Sequence, residues 1–264
     1  MTEMQPRPVE FRGGGFALRP RWLAAVIFFT VVLVLWETAS RAGWVSTLAL
    51  PPLSAVAAAL AELIRSDAFW RNINDSLFRI ATGWSLGTIT GLSVGAAMGI
   101  WSLPRAVGVP AVAALFPIPK IALLPLLILW LGIGEASKVA TIALGVFFPT
   151  VIATYSGIDN VPRNLIRMAQ SFNLPWFAIV WKIILPGALP GILAGFRISA
   201  SIALILLVSA EMIGAQYGIG QFILTAGNLM QTDQLLAGVV ILSLLGLLIG
   251  TLLSRLERWV LRWR

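Results

Sequence analysis

The chain has 264 residues, of which 58% are hydrophobic and only 11% are charged. A soluble domain carries about a quarter charged residues, so this composition excludes a water-soluble globule and defines a polytopic membrane protein. The absence of cysteine and histidine removes disulfides, thiolate nucleophiles and the commonest metal ligands and general bases.

Residues 1–20 are rich in proline, glycine and arginine and are expected to form a loosely ordered cytoplasmic tail. Residues 21–264 are expected to form a single transmembrane domain, with charge-free runs of about 20 residues marking its spans. The first run lies between Arg21 and Arg41. It is long for a signal-peptide core, and "TASRAG" is a poor cleavage site, so it is expected to remain as a helix. Residues 51–79 should lie outside as two short amphipathic helices. Val56, Leu60, Leu63 and Ile64 share one apolar face of the first, and Phe69, Trp70, Ile73 and Leu77 one of the second.

The second run, between Arg79 and Arg105, carries Gly83, Gly87, Gly91, Gly95 and Gly99 at every fourth position. This is a stripe without side chains, suited to close helix packing in lipid. A third run, "AVGVPAVAALFPIPKIALLPLLILWLGIG", is broken by Lys120 and several prolines. The fourth lies between Lys138 and Asp159, the fifth from about Leu189 to Ala210, and the sixth ends at Arg255. The expected architecture is all-α with six transmembrane helices.

Six spans place both termini on one side, and lysine and arginine choose it. Arg7, Arg12, Arg19, Arg21, Arg105, Arg163, Arg167, Lys182, Arg255, Arg258, Arg262 and Arg264 share the side of the termini. The opposite loops hold Arg41, Arg65, Arg71, Arg79 and Lys138, diluted by Glu62, Asp67 and Asp75. The termini are therefore expected in the cytoplasm. The net charge of +8 reflects topology and implies no nucleic-acid partner.

Few groups in the spans could carry chemistry. Glu37, Lys120, Glu135, Lys138 and Arg197 lie near expected span ends, where water is in reach. Glu211, in "LVSAEMIGAQYGIG", is the best candidate for a buried charge, and an ionisable group at membrane depth is a functional hypothesis by default. Gly214, Gly218 and Gly220 beside it suit a tight re-entrant turn, a candidate pathway or external gate. There is no P-loop and no carboxylate pair placed for hydrolysis. The chain is expected to be no enzyme and to bind no cofactor.

The stretch 159–190 is different. Asp159 or Asn160 is placed to cap a helix with Pro162 in its first turn, and Leu165, Met168, Ala169 and Phe172 fall on one apolar face. Asn173 stands where a left-handed residue ends a helix, with Pro175 after it. "WFAIVWKIILP" then leads through Pro186 and Pro190 into the fifth span. This is a helix–turn–helix elbow outside the bilayer, whose apolar face must dock on its own bundle or on another protein.

This elbow resembles the cytoplasmic EAA loop of permease subunits in bacterial ABC importers. Arg167, Met168 and Ala169 stand for E-A-A, with Gln170 and Ser171 following. Asn173 stands for the motif's glycine, and Ile183, Leu185 and Pro186 for its I-x-L-P. Arginine replaces the acidic residue, which reverses the charge pattern. Asparagine for glycine is mild. From about Trp36 onward, "LPPLSAVAAAL", "PIPKIALLPLLILWLGIGEASKV", "LPGALPGILAGFRIS" and "AEMIGAQYGIGQFI" are similar to the nitrate/sulfonate/taurine branch.

The resemblance implies a type I importer permease fold in the bacterial cytoplasmic membrane. It also implies pairing with a second permease copy as a homodimer, two ATPase subunits that carry ATP and magnesium and dock through the elbow, and an external solute-binding protein. A self-sufficient ion-coupled transporter or channel is the alternative, predicting broken helices with polar ligands at mid-membrane.

Overall fold

The computed structural model describes residues 22–263. The expected tail, with Arg21 and Arg264, lies outside the described residues. The described residues are helical, and they fall into two units divided after Ala55. In the first unit, α1 (Trp22–Arg41) runs into a turn segment fastened by side chains. Trp36 Nε1 donates to the Pro51 carbonyl (2.9 Å) and Ser40 Oγ to that of Leu50 (2.8 Å). Glu37 accepts from the Ser54 hydroxyl (2.9 Å) and backbone amide (3.2 Å).

The second unit is built on α3 (Asp67–Ile100), α6 (Glu135–Asp159) and α9 (Leu185–Gly214). α6 lies between the other two and is the most buried helix, with Ile142, Val146, Thr150, Val151 and Thr154 all shielded from solvent. Its threonines cause no penalty there, because Thr150 Oγ1 and Thr154 Oγ1 each donate to the carbonyl four residues back. α10 (Ile219–Asn228) and α11 (Thr232–Val260) pack beside α9, and α2 (Leu53–Ile64), from Val56 on, joins Ala237 in a small apolar cluster.

Five glycines explain how α3 and α6 approach so closely. A Cβ at Gly91 would sit 2.8 Å from the Phe147 carbonyl oxygen, and one at Gly95 2.7 Å from that of Val151. Gly83 and Gly99 face the branched carbons of Ile142 and Ile158 in the same way. In lipid, where no hydrophobic effect pulls helices together, such backbone contact supplies dispersion attraction.

Of the two short helices expected over residues 51–79 the first forms, as α2, but the second does not, because α3 starts at Asp67 and continues unbroken to Ile100. At 1.5 Å per residue it is about 51 Å long, well beyond a hydrocarbon core of about 30 Å. Ser66 caps it by accepting from the Phe69 amide (3.3 Å). The count of six spans is not reached by length and apolarity alone. Among the described residues four helical segments are long and apolar enough to cross a membrane, namely α1, α6, Trp176–Gly214 and α11, or five with the bent pair below. The second expected span lies inside α3, whose glycine, serine and threonine content keeps it out of that count.

The broken third run is α4 (Ser102–Leu115) followed by a 3-10 turn (Lys120–Leu123) and α5 (Leu124–Leu131), bent by 88°. Pro117 and Pro119 occupy the corner, where they cannot extend a helix. The Lys120 ammonium turns back and donates to the carbonyls of Leu115 (2.7 Å), Phe116 (3.2 Å) and Ile118 (2.8 Å), satisfying the open end of α4.

Replacing Gly91 by leucine places a side chain against backbone that cannot yield. The expected loss is about 1–3 kcal/mol, read as a lower thermal midpoint of the detergent-purified chain, whereas Gly214→Ala, where a Cβ meets open space, leaves the midpoint unchanged.

Candidate functional site

Two sites stand at opposite ends of α9. The first is the elbow. Its helix α7 (Arg163–Ser171) starts after Pro162, which occupies the cap position with no side-chain cap bond. Neither Asp159 nor Asn160 caps it, contrary to expectation. Asp159 ends α6 instead, and its carboxylate pairs with Arg105, whose guanidinium also lies 4.9 Å over the Tyr155 ring.

The close of α7 follows the left-handed pattern. Asn173 has φ 53°, the Leu174 amide donates to the Ala169 carbonyl (3.1 Å), and the Asn173 amide donates to that of Gln170 (2.9 Å). These are the paired bonds of a Schellman motif, and asparagine tolerates the conformation better than other residues with a side chain. Pro175 then caps α8 (Trp176–Ile179), and a π-helical turn (Val180–Ile184) leads into α9 with Pro186 in its first turn.

The apolar face of α7 is divided rather than shared. Ala169 is buried and Ile166 half-buried, and Ile166 packs with Val161, Ile158 and Ala188, so this edge holds the elbow to the bundle. Leu165, Met168 and Phe172 project outward, Phe172 being 73% exposed, with Trp176, Phe177 and Trp181 also exposed beyond the turn. Ile183, Leu185 and Pro186 are half-buried at the root of α9. Arg167, Gln170 and Ser171 are exposed. A cavity of about 350 Å³ opens behind α7, lined among others by Gly99, Arg105, Asp159, Arg163, Arg167 and Gln170. Arg163 and Arg167 have no ion pair among the described residues.

The second site is a buried polar knot at the far end of α9. Glu211 is completely buried, and Arg79, whose charge the sequence pattern assigns to a loop, is 2% exposed inside α3. Arg79 hydrogen-bonds to three partners and lies 3.7 Å from a fourth, the Asp75 carboxylate. Its Nη1 donates to Glu211 Oε1 (2.8 Å) and to the Tyr217 carbonyl (2.7 Å), while Nε and Nη2 grip both oxygens of Glu135 (2.6 and 2.7 Å). Lys138, expected to reach water, is 5% exposed, its ammonium donating to the Gly134 carbonyl (2.9 Å).

The knot also ends a helix. α10 begins after Gly218, which has no side chain to cap it, so the neighbours do so. The Gly218 amide donates to Asn72 Oδ1 (2.9 Å), the Ile219 amide to Ser76 Oγ (2.9 Å) and the Gly220 amide to Glu211 Oε2 (2.8 Å). Ser76 Oγ in turn donates to Glu211 Oε1 (2.7 Å). A carboxylate at a helix N-terminus is favoured by the exposed amides and the helix dipole.

The three glycines behave differently. Gly218 has φ 141°, and a Cβ there would sit 2.5 Å from the Glu211 carboxyl carbon. One on Gly220 would meet the Val208 carbonyl oxygen at 2.7 Å, whereas Gly214 faces open space. Sequence reasoning finds Glu211 and the glycines but misses Asn72, Ser76 and Arg79. The available signal is their spacing, which places the three on one face of a helix, but only once α3 is known to continue through them.

Apolar helices long enough to cross a membrane, with a buried charged knot at one end of α9 and an elbow at the other, define a polytopic membrane protein. The chain belongs to the family of binding-protein-dependent transport system inner membrane components, which matches residues 87–263. That is a family of transport subunits in which ATP is hydrolysed on a separate chain. The chain is 35% identical over 243 residues to a putative aliphatic sulfonates transport permease protein of Bacillus subtilis (strain 168), covering 92% of this chain and 88% of that one. It is 34% identical to the taurine transport system permease protein of Escherichia coli (strain K12), covering 88% and 86%. Among solved structures it is similar to the inward-facing MetNI methionine ABC transporter, with TM-score 0.62 and 24% identity over 73% of this chain and 96% of that one. This likeness establishes the type I importer permease fold.

Family membership sets aside the self-sufficient ion-coupled transporter. The broken α4–α5 span and the buried knot would otherwise have answered to that reading, but the knot spends its donors and acceptors on protein groups.

Arg79→Met leaves Glu211 buried without its cation, an arrangement that costs roughly 3–5 kcal/mol. The expected result is loss of monodisperse protein on size-exclusion chromatography, with Arg71→Met, whose guanidinium lies 3.7 Å over the Tyr217 ring outside the knot, tolerated.

Proposed function

We propose that the chain is the pathway-forming subunit of an ATP-driven importer of a small organosulfonate, coupled to its ATPase through the elbow at 160–186. The observation that carries the coupling role is the outward row of Leu165, Met168 and Phe172 on a helix whose other edge is anchored by Ile166 and Ala169. An exposed apolar row outside the spans, held rigidly, is a docking surface, and a rigid link is what lets ATP-driven closure of a partner move the bundle. The substrate class is supported by the names of the sulfonate and taurine relatives.

In this reading two permease copies frame the pathway, two ATPase subunits hold ATP and magnesium, and an external binding protein delivers solute. The elbow end, with the C-terminus of α11, faces the cytoplasm. The turn around Gly218 and the Glu211 knot then lie at the external end, where they gate entry. Arg167 and Arg163, exposed on the elbow, call for acidic residues in the ATPase cleft where an acidic motif residue would call for basic ones.

Proteoliposomes holding the chain with its ATPase and binding protein test this directly. ATP-dependent taurine or alkanesulfonate uptake is expected, and uptake without ATP overturns the reading. Asn173→Val strains the left-handed turn, whereas Asn173→Gly relieves it. The valine variant should lose most uptake and the glycine variant keep it. Arg167→Glu should weaken ATPase co-purification by about tenfold, equivalent to roughly 1.4 kcal/mol. Unchanged co-purification places the docking contact elsewhere.

A further inference from the structure

The face of α9 and α11 near the end of α11 carries a cleft that the transport reading leaves unused. A cavity of about 520 Å³ opens there, bounded by Arg197 of α9 and by Leu247, Gly250, Ser254, Arg255 and Arg258 of α11. Three guanidinium groups meet at its rim. Arg197 is paired with Glu257, and Arg258 Nε donates to the Ser254 carbonyl (3.3 Å). Arg255 has no hydrogen-bond or carboxylate partner among the described residues. With one carboxylate against three arginines, two positive charges stay uncompensated.

The depth of this cleft is fixed by helix length. Arg197 lies about 25 Å along α9 from Gly214, and Arg255 about 35 Å along α11 from Thr232, at 1.5 Å per residue. Both distances are close to the hydrocarbon thickness of about 30 Å, so the arginines sit at one membrane boundary. Trp259, exposed, stands one turn beyond Arg255, as aromatic residues do at a bilayer interface. Away from the arginines the floor continues as Gly250 and Leu247, with Leu244 and Leu248 exposed alongside. The cleft is thus basic where headgroups lie and apolar where acyl chains lie.

We propose that this cleft binds an anionic phospholipid, its phosphate held by Arg255 and Arg258 and one acyl chain laid against Gly250 and Leu247. The guanidinium groups are the donors, because the hydroxyl of Ser254 donates to the Gly250 carbonyl (2.8 Å). Arginine presents a planar fork to phosphate oxygens and binds them two at a time. A soluble anion could use the same donors but would leave the apolar floor uncovered. The proposal is independent of the ATPase reading, because it concerns lipid retention by this chain alone.

Native mass spectrometry of the full chain in mild detergent, titrated with phosphatidylglycerol, phosphatidylcholine or inorganic phosphate, tests it. Retention of phosphatidylglycerol over phosphatidylcholine by about tenfold is expected, given the contribution of each basic residue at a membrane surface. The preference should vanish in Arg255→Gln/Arg258→Gln and persist in Arg65→Gln, an exposed arginine near the opposite end of α3. Equal retention of both lipids overturns the proposal, as does an equal loss in Arg65→Gln, which marks a diffuse charge effect. Displacement of the lipid by inorganic phosphate reassigns the site to a soluble anion. A dimer that excludes lipid and dissociates in the double variant reassigns it to a second copy of the chain.

Discussion

A fully buried carboxylate inside an apolar bundle is costly unless it is paired and hydrogen-bonded, and Glu211 meets that condition with three donors, one of them a cation. Arg79, Ser76 and the Gly220 amide take its two oxygens between them. The pair is not simply an ion pair. Arg79 also binds Glu135 and the Tyr217 carbonyl, so one guanidinium joins α3, α6, α9 and the turn before α10. Replacing such a group with an apolar residue of equal size is often stabilising in soluble proteins. Here it would also leave the Gly220 amide, at the start of α10, without the carboxylate that caps it.

The close packing of α3 on α6 makes this knot possible. Without side chains at Gly83 to Gly99, the two helices run against each other along their length, and Arg79, one turn before Gly83, is brought within reach of Glu135. The same contact line ends at the elbow, where Gly99 meets Ile158 and lines the cavity behind α7. Elbow and knot are therefore tied to the two ends of one rigid helix pair. Packed backbone joins the two, with little compliant material between.

Much of this is legible in the sequence, and the failures share a physical cause. Helix ends with strong local chemistry can be read, as at Asn173 and Pro175, because a left-handed residue followed by proline has few alternatives. The sequence singles out Glu211 as the best candidate for a buried charge, and the structure decides its complete burial. Arg79 escapes sequence reasoning because a charge ordinarily ends a span. In fact α3 continues through it, and its partners lie far away in sequence, at Glu135 and Glu211. The apolar face of α7 reads as one surface because 3.6-residue periodicity marks a stripe without saying which edge meets the bundle. Only the position of Val161 and Ala188 decides that Ile166 and Ala169 turn inward.

The π-helical turn at Val180–Ile184 sets the angular register between elbow and span. A π turn holds one residue more than the α-helical turn it replaces, so it rotates everything before it by about 100° relative to the span beyond it. The elbow's outward row is aimed by that single surplus residue. Loss of one residue between Val180 and Ile184 would set that register against the anchor that Ile166 makes on Ile158, Val161 and Ala188, so either the anchor or the direction of Leu165, Met168 and Phe172 must give way. The length of this short segment is therefore fixed twice over, by the packing of Val180, Ile183 and Ile184 on the bundle and by the direction of the outward row.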